Sequence, residues 1–361
     1  MLESVYIHIP FCKSICSYCD FCKLLYNGSW ATKYLNALLA EINDSYRGEV
    51  IKTIYIGGGT PSALSEKELK YLFEIIKVLN LSDDIEFSFE CNLGDINEEL
   101  LGVLRDGGVN RLSIGIQSFD KEKLAFMERY HDFDDARDKI DLCHRVGFNN
   151  INMDLIYGIP GETLNILKKD LGLILKLKPD HISTYSLIVE DNTKVGISKI
   201  NPIDEDLDYE MYSYISRKLK SKGYKHYEIS NFALTNHESK HNLKYWNNLE
   251  YYGFGLGASG YVDSIRYENT RNLTKYLSGK YMDNQMILSK QDMMENEIML
   301  GFRKLEGIDM KEFYLKYQIH MQDVFPISKL VKSKDLKYKK GVIKINPDRL
   351  YIMNEILIQL L

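Results

Sequence analysis

The sequence predicts an α/β protein built around a parallel β-sheet. Segments rich in β-branched and aromatic residues alternate with segments whose apolar residues recur every three or four positions, as in amphipathic helices. Glycines and polar residues gather where the predicted strands end, and 361 residues with 45% hydrophobic content can bury one large core and a smaller one. The alternation predicts right-handed crossovers between parallel strands, but it leaves open whether the sheet forms a barrel or is open and doubly wound.

Six strands and six helices are predicted over residues 4–189. The strands are residues 4–9, 52–56, 85–91, 111–117, 150–156 and 181–189. The helices are residues 31–46, 65–80, 97–106, 120–129, 133–146 and 162–177. Ser65 and Glu68 have the spacing of a capping box, and Gly107 and Gly147 stand where helix ends favour a left-handed residue.

Polar residues at the strand ends mark the expected site, because parallel βα folds build their sites at the carboxyl ends of the strands. The run Gly57-Gly58-Gly59-Thr60 follows the second strand. Glu90 ends the third strand, Gln117 the fourth and Asp154 the fifth. Polar and apolar residues alternate over 85–91, which turns Glu90 towards a polar interior or cleft.

The alternation stops after about residue 230. A loop containing His241-Asn242 and Tyr245-Trp246 is followed by the glycine-rich run Gly253-Phe254-Gly255-Leu256-Gly257. The remaining elements resemble a small winged-helix module and comprise helices at 289–304 and 310–317 and a hairpin through 339–342. We therefore predict a core of residues 1–230, a segment of residues 231–288 that completes it, and a C-terminal module of residues 289–361.

Composition and charge exclude several classes of protein. The 46 Lys and Arg residues against 51 Asp and Glu residues give a net charge of -5, which argues against a dedicated nucleic-acid binder. No stretch approaches the roughly 18 uninterrupted apolar residues of a membrane span, and residues 1–4 lack the features of a signal peptide. We expect a cytoplasmic protein with at most peripheral membrane contact. Six lysines between 329 and 340, with Asp335 as the single acid among them, are either a solvated surface or a docking face for an anionic membrane or partner.

Four of the six cysteines lie within eleven positions, at Cys12, Cys16, Cys19 and Cys22. The first three, spaced Cys-x3-Cys-x2-Cys directly after a strand, supply three thiolates in a loop that can wrap an iron–sulfur cubane. Three ligands leave one of four irons open for a small molecule, much as catalytic metal sites keep one position open. A zinc knuckle or a group of buried thiols is the alternative, since thiolates also suit zinc.

The three-cysteine loop resembles that of radical S-adenosylmethionine (SAM) proteins. Further runs, at residues 6–12, 57–62, 111–119 and 154–161, are similar to the oxygen-independent coproporphyrinogen III oxidase-like family. The resemblance implies a partial (β/α)6 TIM-like barrel that holds a 4Fe-4S cluster and SAM, with the open iron binding the amino and carboxylate groups of SAM. In that family an electron from the reduced cluster can cleave SAM to a radical, so the cofactors carry the chemistry.

The same resemblance implies which residues hold SAM. Glycines let the backbone approach the methionyl end closely, and polar side chains bind the ribose and ammonium groups. The implied contacts are Tyr6, Tyr18, Gly58, Gly59, Thr60, Glu90, Gln117, Arg129, Asp154, Ile188 and Ser259. Ile188 and Ser259 would lie near the adenine. The alternatives are a solvated helix-end arginine for Arg129 and a salt-bridged strand end for Glu90.

Two departures point to one branch of this family. Phe21 stands where coproporphyrinogen dehydrogenases have a fourth cysteine, and the arm that helps those enzymes hold the tetrapyrrole is absent before the first strand. We interpret Cys22, one residue further on, as an inert thiol, with an occasional extra ligand as the alternative. The run His241-Asn242-Leu243-Lys244-Tyr245-Trp246 instead matches the His-Asn-x-x-Tyr-Trp motif of HemW-type haem chaperones. Imidazole can ligate haem iron and aromatic rings can pack on a porphyrin, so the motif implies haem binding by these residues. A structural histidine beside a buried Tyr-Trp pair is the alternative.

The resemblance therefore implies a haem chaperone that passes haem to apo forms of haem enzymes, respiratory ones among them, and that can form a homodimer. The main alternative is an enzyme, an oxygen-independent coproporphyrinogen III dehydrogenase that forms protoporphyrinogen IX by oxidative decarboxylation. A relative of haem-opening methyltransferases is a third possibility. Product formation under anaerobic turnover separates the enzymes from the chaperone.

Overall fold

The computed structural model describes residues 2–361; residue 1, the first of the predicted core, lies outside the described residues. Its centre is a nine-stranded sheet. Six of its strands match the predicted ones: β1 (Ser4–Ile9), β2 (Val50–Gly58), β3 (Asn80–Asn92), β4 (Arg111–Gln117), β5 (Ile151–Tyr157) and β6 (His181–Ser186). Three shorter strands follow in the chain: β7 (Lys225–His226), β8 (Asn231–Ala233) and β9 (Tyr252–Phe254).

The strand order is β9-β1-β2-β3-β4-β5-β6-β8-β7. Strands β1 to β6 are parallel neighbours, β9 adds a parallel strand beside β1, and β8 pairs antiparallel with β6. The predicted α/β fold with a parallel, partial barrel is confirmed. The alternation in β3 is also confirmed, since Phe87 and Phe89 pack in the main core while Glu86 and Glu90 bond to groups on the other face.

Eight helices of six residues or more accompany this sheet among the described residues. They are α1 (Gly28–Ser45), α2 (Glu66–Ile76), α3 (Glu98–Asp106), α4 (Lys121–Phe126), α5 (Phe133–Val146), α6 (Leu164–Lys176), α7 (Glu205–Ser221) and α8 (Lys240–Trp246). Helices α1, α2 and α3 pack their apolar sides against the outer face of the sheet, whereas α8 lies against the polar face. Short helical turns occur at Pro61–Ala63, Leu93–Asp95 and Lys194–Ile197. In α2, Leu69, Leu72 and Phe73 are buried on one side, and the capping box of Ser65 with Glu68 is present. The helix ends at residue 76 rather than 80 because β3 begins at residue 80.

Two expectations from the sequence are wrong, and two elements were not predicted. Helix α7 was not predicted, although its buried residues recur every four positions. The segment around His241 is helix α8 rather than a loop, because Ser239 caps it by accepting from the Asn242 N–H. Part of the glycine-rich run is strand β9. Gly107 is right-handed at φ −74°, whereas Gly147 has the expected left-handed conformation at φ 101°.

A second apolar cluster lies in the C-terminal part of the chain and includes Ile298, Phe302, Phe313 and Ile343. Its helices are Lys290–Gly301, Met310–Tyr317, Met321–Val324, Ile327–Lys332 and Met353–Ile358, with a 3-10 turn at Pro347–Ile352. Its sheet has the order Ile308–Asp309, Val342–Ile345, Leu336–Lys339. A separate sheet of Ser259–Val262, Ile265–Asn269 and Met282–Ile287, with helix Leu273–Leu277, precedes this part. The domain boundaries stay a prediction. Among the described residues, no helix is long and apolar enough to cross a membrane.

Candidate functional site

The three-cysteine loop is held at the carboxyl end of β1. Short parallel strands Phe11–Cys12 and Leu24–Leu25 close the loop at its base. Inside the loop, the Ser17 hydroxyl donates to the carbonyl of Phe126 at 2.6 Å, and the Val195 N–H donates to the carbonyl of Ser17 at 3.1 Å. The loop is therefore tied to the end of α4 and to the helical turn Lys194–Ile197, which follow strands β4 and β6.

The thiols of Cys12, Cys16 and Cys19 lie near one another: Cys16 and Cys19 both contribute to raising the pKa of Cys12, and Cys16 contributes to raising the pKa of Cys19. Burial is the main cause and raises the pKa of Cys12 to about 11, although the Thr60 hydroxyl donates to its sulfur at 3.4 Å. A metal centre would displace these thiol protons, because metal ligation requires thiolates. Across residues 2–361, no three His, Cys, Asp or Glu side chains converge closely enough to hold a single metal ion.

The glycine run after β2 lies directly against this loop. Gly58 has φ 115°, and a Cβ there would lie 2.5 Å from the His8 ring. A Cβ at Gly59 would lie 2.7 Å from the Pro10 carbonyl and 3.0 Å from the sulfur of Cys12. Only glycine fits at these two positions, so the backbone can approach whatever the cysteines hold.

Two half-buried carboxyls lie on the inner face of the sheet. Glu90 accepts from the Tyr55 hydroxyl at 2.9 Å and from the Gly58 N–H at 3.1 Å, and burial raises its pKa to about 7. Asp154 accepts from the Asn152 amide at 2.8 Å, and burial also raises its pKa. A cation bound between them would relieve both desolvation costs.

Gln117 and Arg129 have buried polar atoms that lack partners. Gln117 has a left-handed backbone at φ 68°, and its Oε1 accepts no hydrogen bond from any of residues 2–361. The Arg129 guanidinium donates to the carbonyl of Gly115 at 3.0 Å and to the Tyr18 hydroxyl at 3.2 Å, but its Nε has no acceptor. Because buried polar groups are normally hydrogen-bonded, these atoms point to a polar ligand at this edge of the sheet.

The remaining predicted SAM contacts are more dispersed. Tyr6 stacks on Tyr55 with ring centres 6.3 Å apart, and its hydroxyl lies 3.0 Å from Nδ1 of His8, whose Nε2 bonds the Cys22 carbonyl at 2.7 Å. Ile188 is 70% exposed, and Ser259 is exposed at the start of a strand outside the main sheet. The adenine contact of these two residues stays a prediction.

The His-Asn-x-x-Tyr-Trp run is helix α8, and His241 is fully buried against the amino-terminal part of the sheet. Its Nδ1 lies 2.9 Å from the Thr53 hydroxyl and its Nε2 lies 2.7 Å from the Tyr245 hydroxyl. Glu86 accepts the N–H groups of Lys240 and His241 at the start of the helix. Burial lowers the pKa of His241 to about 3, so the imidazole is neutral with both nitrogens engaged.

The other motif residues face different ways. The rings of Tyr245 and Tyr251 meet edge to face at 4.6 Å. Trp246 lies under the guanidinium of Arg303, which is 5.5 Å from its ring centre, and its indole N–H has no acceptor. Asn242 is partly exposed. The four motif residues therefore do not converge on one surface.

Comparisons with known proteins give the family. The radical SAM superfamily model matches residues 6–174, and the HemN C-terminal domain model matches residues 288–352. The haem chaperone HemW of Lactococcus lactis is 41% identical over 344 residues, covering 92% of this chain and 90% of its own. The chain belongs to the HemW family. HemW of Bacillus subtilis is 38% identical, covering 98% of this chain and 96% of its own.

The solved structure of the Escherichia coli coproporphyrinogen III oxidase HemN has a TM-score of 0.88 at 21% identity, covering 99% of this chain and 89% of that one. At that identity it shows the shared fold. The prediction of the HemW family on a radical SAM fold is thus confirmed, and HemN function is not favoured. Membership of the radical SAM superfamily implies a 4Fe-4S cluster and SAM.

Some residues around the site were missed from the sequence. Thr53 and Glu86 hold α8 of this HemW family member against the barrel, and their positions on the polar face of alternating strands were the available signal. Lys123, Glu162 and Asp170 form a buried ion cluster behind the loops that carry Gln117 and Arg129. No sequence pattern joins these three, because they come together only in the folded chain.

Proposed function

We propose that this protein is a haem chaperone, which binds haem and passes it to apo haem enzymes while holding a 4Fe-4S cluster and SAM. The observation that carries the proposal is the similarity to HemW proteins over nearly the whole chain. The proposal carries two further expectations. The haem recipients include respiratory enzymes, and the protein forms a homodimer.

The residues at the carboxyl ends of the strands fit the cluster and SAM. Cys12, Cys16 and Cys19 would hold three irons, and the fourth would be open to the amino acid head of SAM. The orphaned atoms of Gln117 and Arg129 would receive polar groups of SAM. When bound, these cofactors supply one-electron chemistry. Glu90, Asp154 and the glycine run would orient the ligand and exclude water.

The exposed lysines of the C-terminal module support peripheral contact with an anionic membrane. We define the lysine face as Lys329, Lys332, Lys334, Lys337, Lys339 and Lys340. All six are exposed, and none forms a salt bridge with any residue in the described part of the chain. Unneutralised lysines close together in the sequence are attracted to acidic lipid headgroups. We propose that this face brings the chaperone to the membrane surface.

The proposed function is tested on one anaerobically reconstituted preparation. We expect hemin titration to give a saturable absorbance change, haem transfer to an apo haem protein, and no protoporphyrinogen IX from coproporphyrinogen III. Replacing Cys12, Cys16 and Cys19 by Ser should remove the iron, whereas Cys22→Ser should keep it. Catalytic turnover of coproporphyrinogen, or wild-type protein that does not bind hemin, would overturn the proposal.

A further inference from the structure

Helix α8 has two faces with different surroundings. His241 and Tyr245 are one turn apart and point into the barrel, where each ring nitrogen of His241 already has a partner. Lys240 and Leu243, three positions apart on another face, line a cavity of about 470 Å³. Residues of the motif that face inward anchor the helix, and residues that face outward are available to a ligand.

The cavity joins three parts of the chain. Tyr227 follows β7, Leu243 comes from α8, and Leu305 comes from the C-terminal cluster, with the Leu305 N–H donating to the carbonyl of Tyr227 at 3.1 Å. These side chains supply apolar surface to the wall. The volume lies within the ~300–1,000 Å³ of typical small-molecule sites. The cavity therefore suits the edge of a flat, largely apolar ligand.

Among the described residues, Lys240 is the charged residue of the cavity wall that has no ion pair. Lys225 pairs with Glu238 at 3.0 Å, and Glu306 lies 4.0 Å from Lys304. Lys240 is exposed, and its ammonium forms no salt bridge with any of residues 2–361. A ligand carboxylate would form an ion pair with Lys240, because an anion there compensates the lysine charge and leaves the two existing ion pairs intact.

On the proposed function, the geometry points to this cavity as the haem site, with the propionate-bearing edge of haem against Lys240 and the macrocycle against Leu243 and Leu305. His241 is then a positioning residue, which fixes α8 to the barrel through Thr53 and Tyr245, and it does not ligate the iron. The outer face of helix α8 thus binds haem, and its inner face holds the helix against the barrel.

Hemin titration by Soret absorbance tests the cavity. We expect Lys240→Glu and Leu243→Gln each to weaken hemin binding about tenfold or more. The matched controls Lys222→Glu and Leu315→Gln alter exposed residues outside the cavity and should bind as wild type does. Wild-type affinity in both cavity variants would overturn the inference while leaving the proposed function intact. Failure of the wild-type protein to bind hemin would overturn the proposed function as well.

A second measurement tests the role of His241. We expect His241→Ala to lower the unfolding temperature and to leave the Soret maximum of bound haem at the wild-type wavelength, whatever the change in affinity. Added imidazole should have no effect on that spectrum. A shifted Soret maximum that imidazole restores, at an unchanged unfolding temperature, would show that His241 is an axial ligand and would overturn the assignment.

Discussion

At the scale of single residues, burial changes the acid–base behaviour of Glu90. Its carboxyl is shielded from water and bonded to Tyr55 and Gly58, and its pKa rises from the usual 4.5 to about 7. The folded chain thus holds this proton more tightly than the unfolded chain does. The stability from this group is complete below pH 4.5 and is lost as the pH rises through about 7.

Replacement of Glu90 by Gln should therefore stabilise the fold at high pH. Both hydrogen bonds can be kept, because the amide can accept from the Gly58 N–H and donate to the Tyr55 hydroxyl. We expect Glu90→Gln to unfold with a free energy about 3 kcal/mol higher than wild type at pH 8, and with little difference near pH 4.5. Urea unfolding at the two pH values measures this. Asp83→Asn, an exposed change on the same strand, is the control, and a difference independent of pH would contradict the prediction.

At the scale of secondary-structure elements, the loops after β4 and β5 are held by one buried ion cluster. The Lys123 ammonium on α4 binds Glu162 at 2.6 Å and Asp170 of α6 at 2.9 Å, with all three side chains at most 3% exposed. Asp170 also accepts from the Ser118 hydroxyl and the Phe119 N–H. The cluster thus fixes α4 and α6 to the loop that starts at Gln117 of the candidate SAM site.

Removing the one cation of this cluster should be costly. In Lys123→Met, two carboxylates would remain buried without their countercharge, so we expect the free energy of unfolding to fall by about 3–5 kcal/mol. Chemical denaturation at neutral pH measures the loss. Lys121→Met, an exposed change on the same helix, should alter stability by less than ~0.5 kcal/mol. Equal stability of the two variants would mean that the cluster has no structural role.

At the scale of the whole molecule, the two ends of the barrel differ in composition. The carboxyl ends of the strands carry the cysteine loop and the buried polar groups, and the amino ends are covered by α8. The lysine face lies in the C-terminal part of the chain, which has its own apolar cluster. We therefore expect that mutations in the cysteine loop, in the proposed haem cavity and on the lysine face affect different proposed binding properties.

Charge reversal on the lysine face should abolish binding to acidic lipid. Each lysine near an anionic membrane contributes about 1 kcal/mol, so Lys337→Glu/Lys339→Glu/Lys340→Glu should bind phosphatidylglycerol vesicles at least ~100-fold more weakly. Sedimentation with vesicles at 0.1 M salt measures this. The control triple Lys67→Glu/Lys169→Glu/Lys222→Glu changes exposed lysines elsewhere by the same charge. Equal loss in both variants would show an effect of net charge rather than of this face.

Local patterns predicted much of the fold and part of the site. Strand alternation in β3 predicted that Glu90 points inward, and the capping box at Ser65 predicted the start of α2. Both depend on neighbours a few positions away. Prediction failed where the local structure depends on residues far away in the sequence. The segment around His241 was predicted as a loop, but it is helix α8, whose first N–H groups bond to Glu86, more than 150 positions earlier.

The sequence by itself determined the order of the first six strands and six helices, the three-cysteine loop and the family, because spacing along the chain encodes each of them. Only the tertiary structure decided the surroundings of His241. Its residue type suits an iron ligand, yet Thr53 and Tyr245 occupy both ring nitrogens. The reason is physical: a side chain's chemistry depends on which groups of the folded chain surround it, and in a barrel those groups come from strands far apart in sequence.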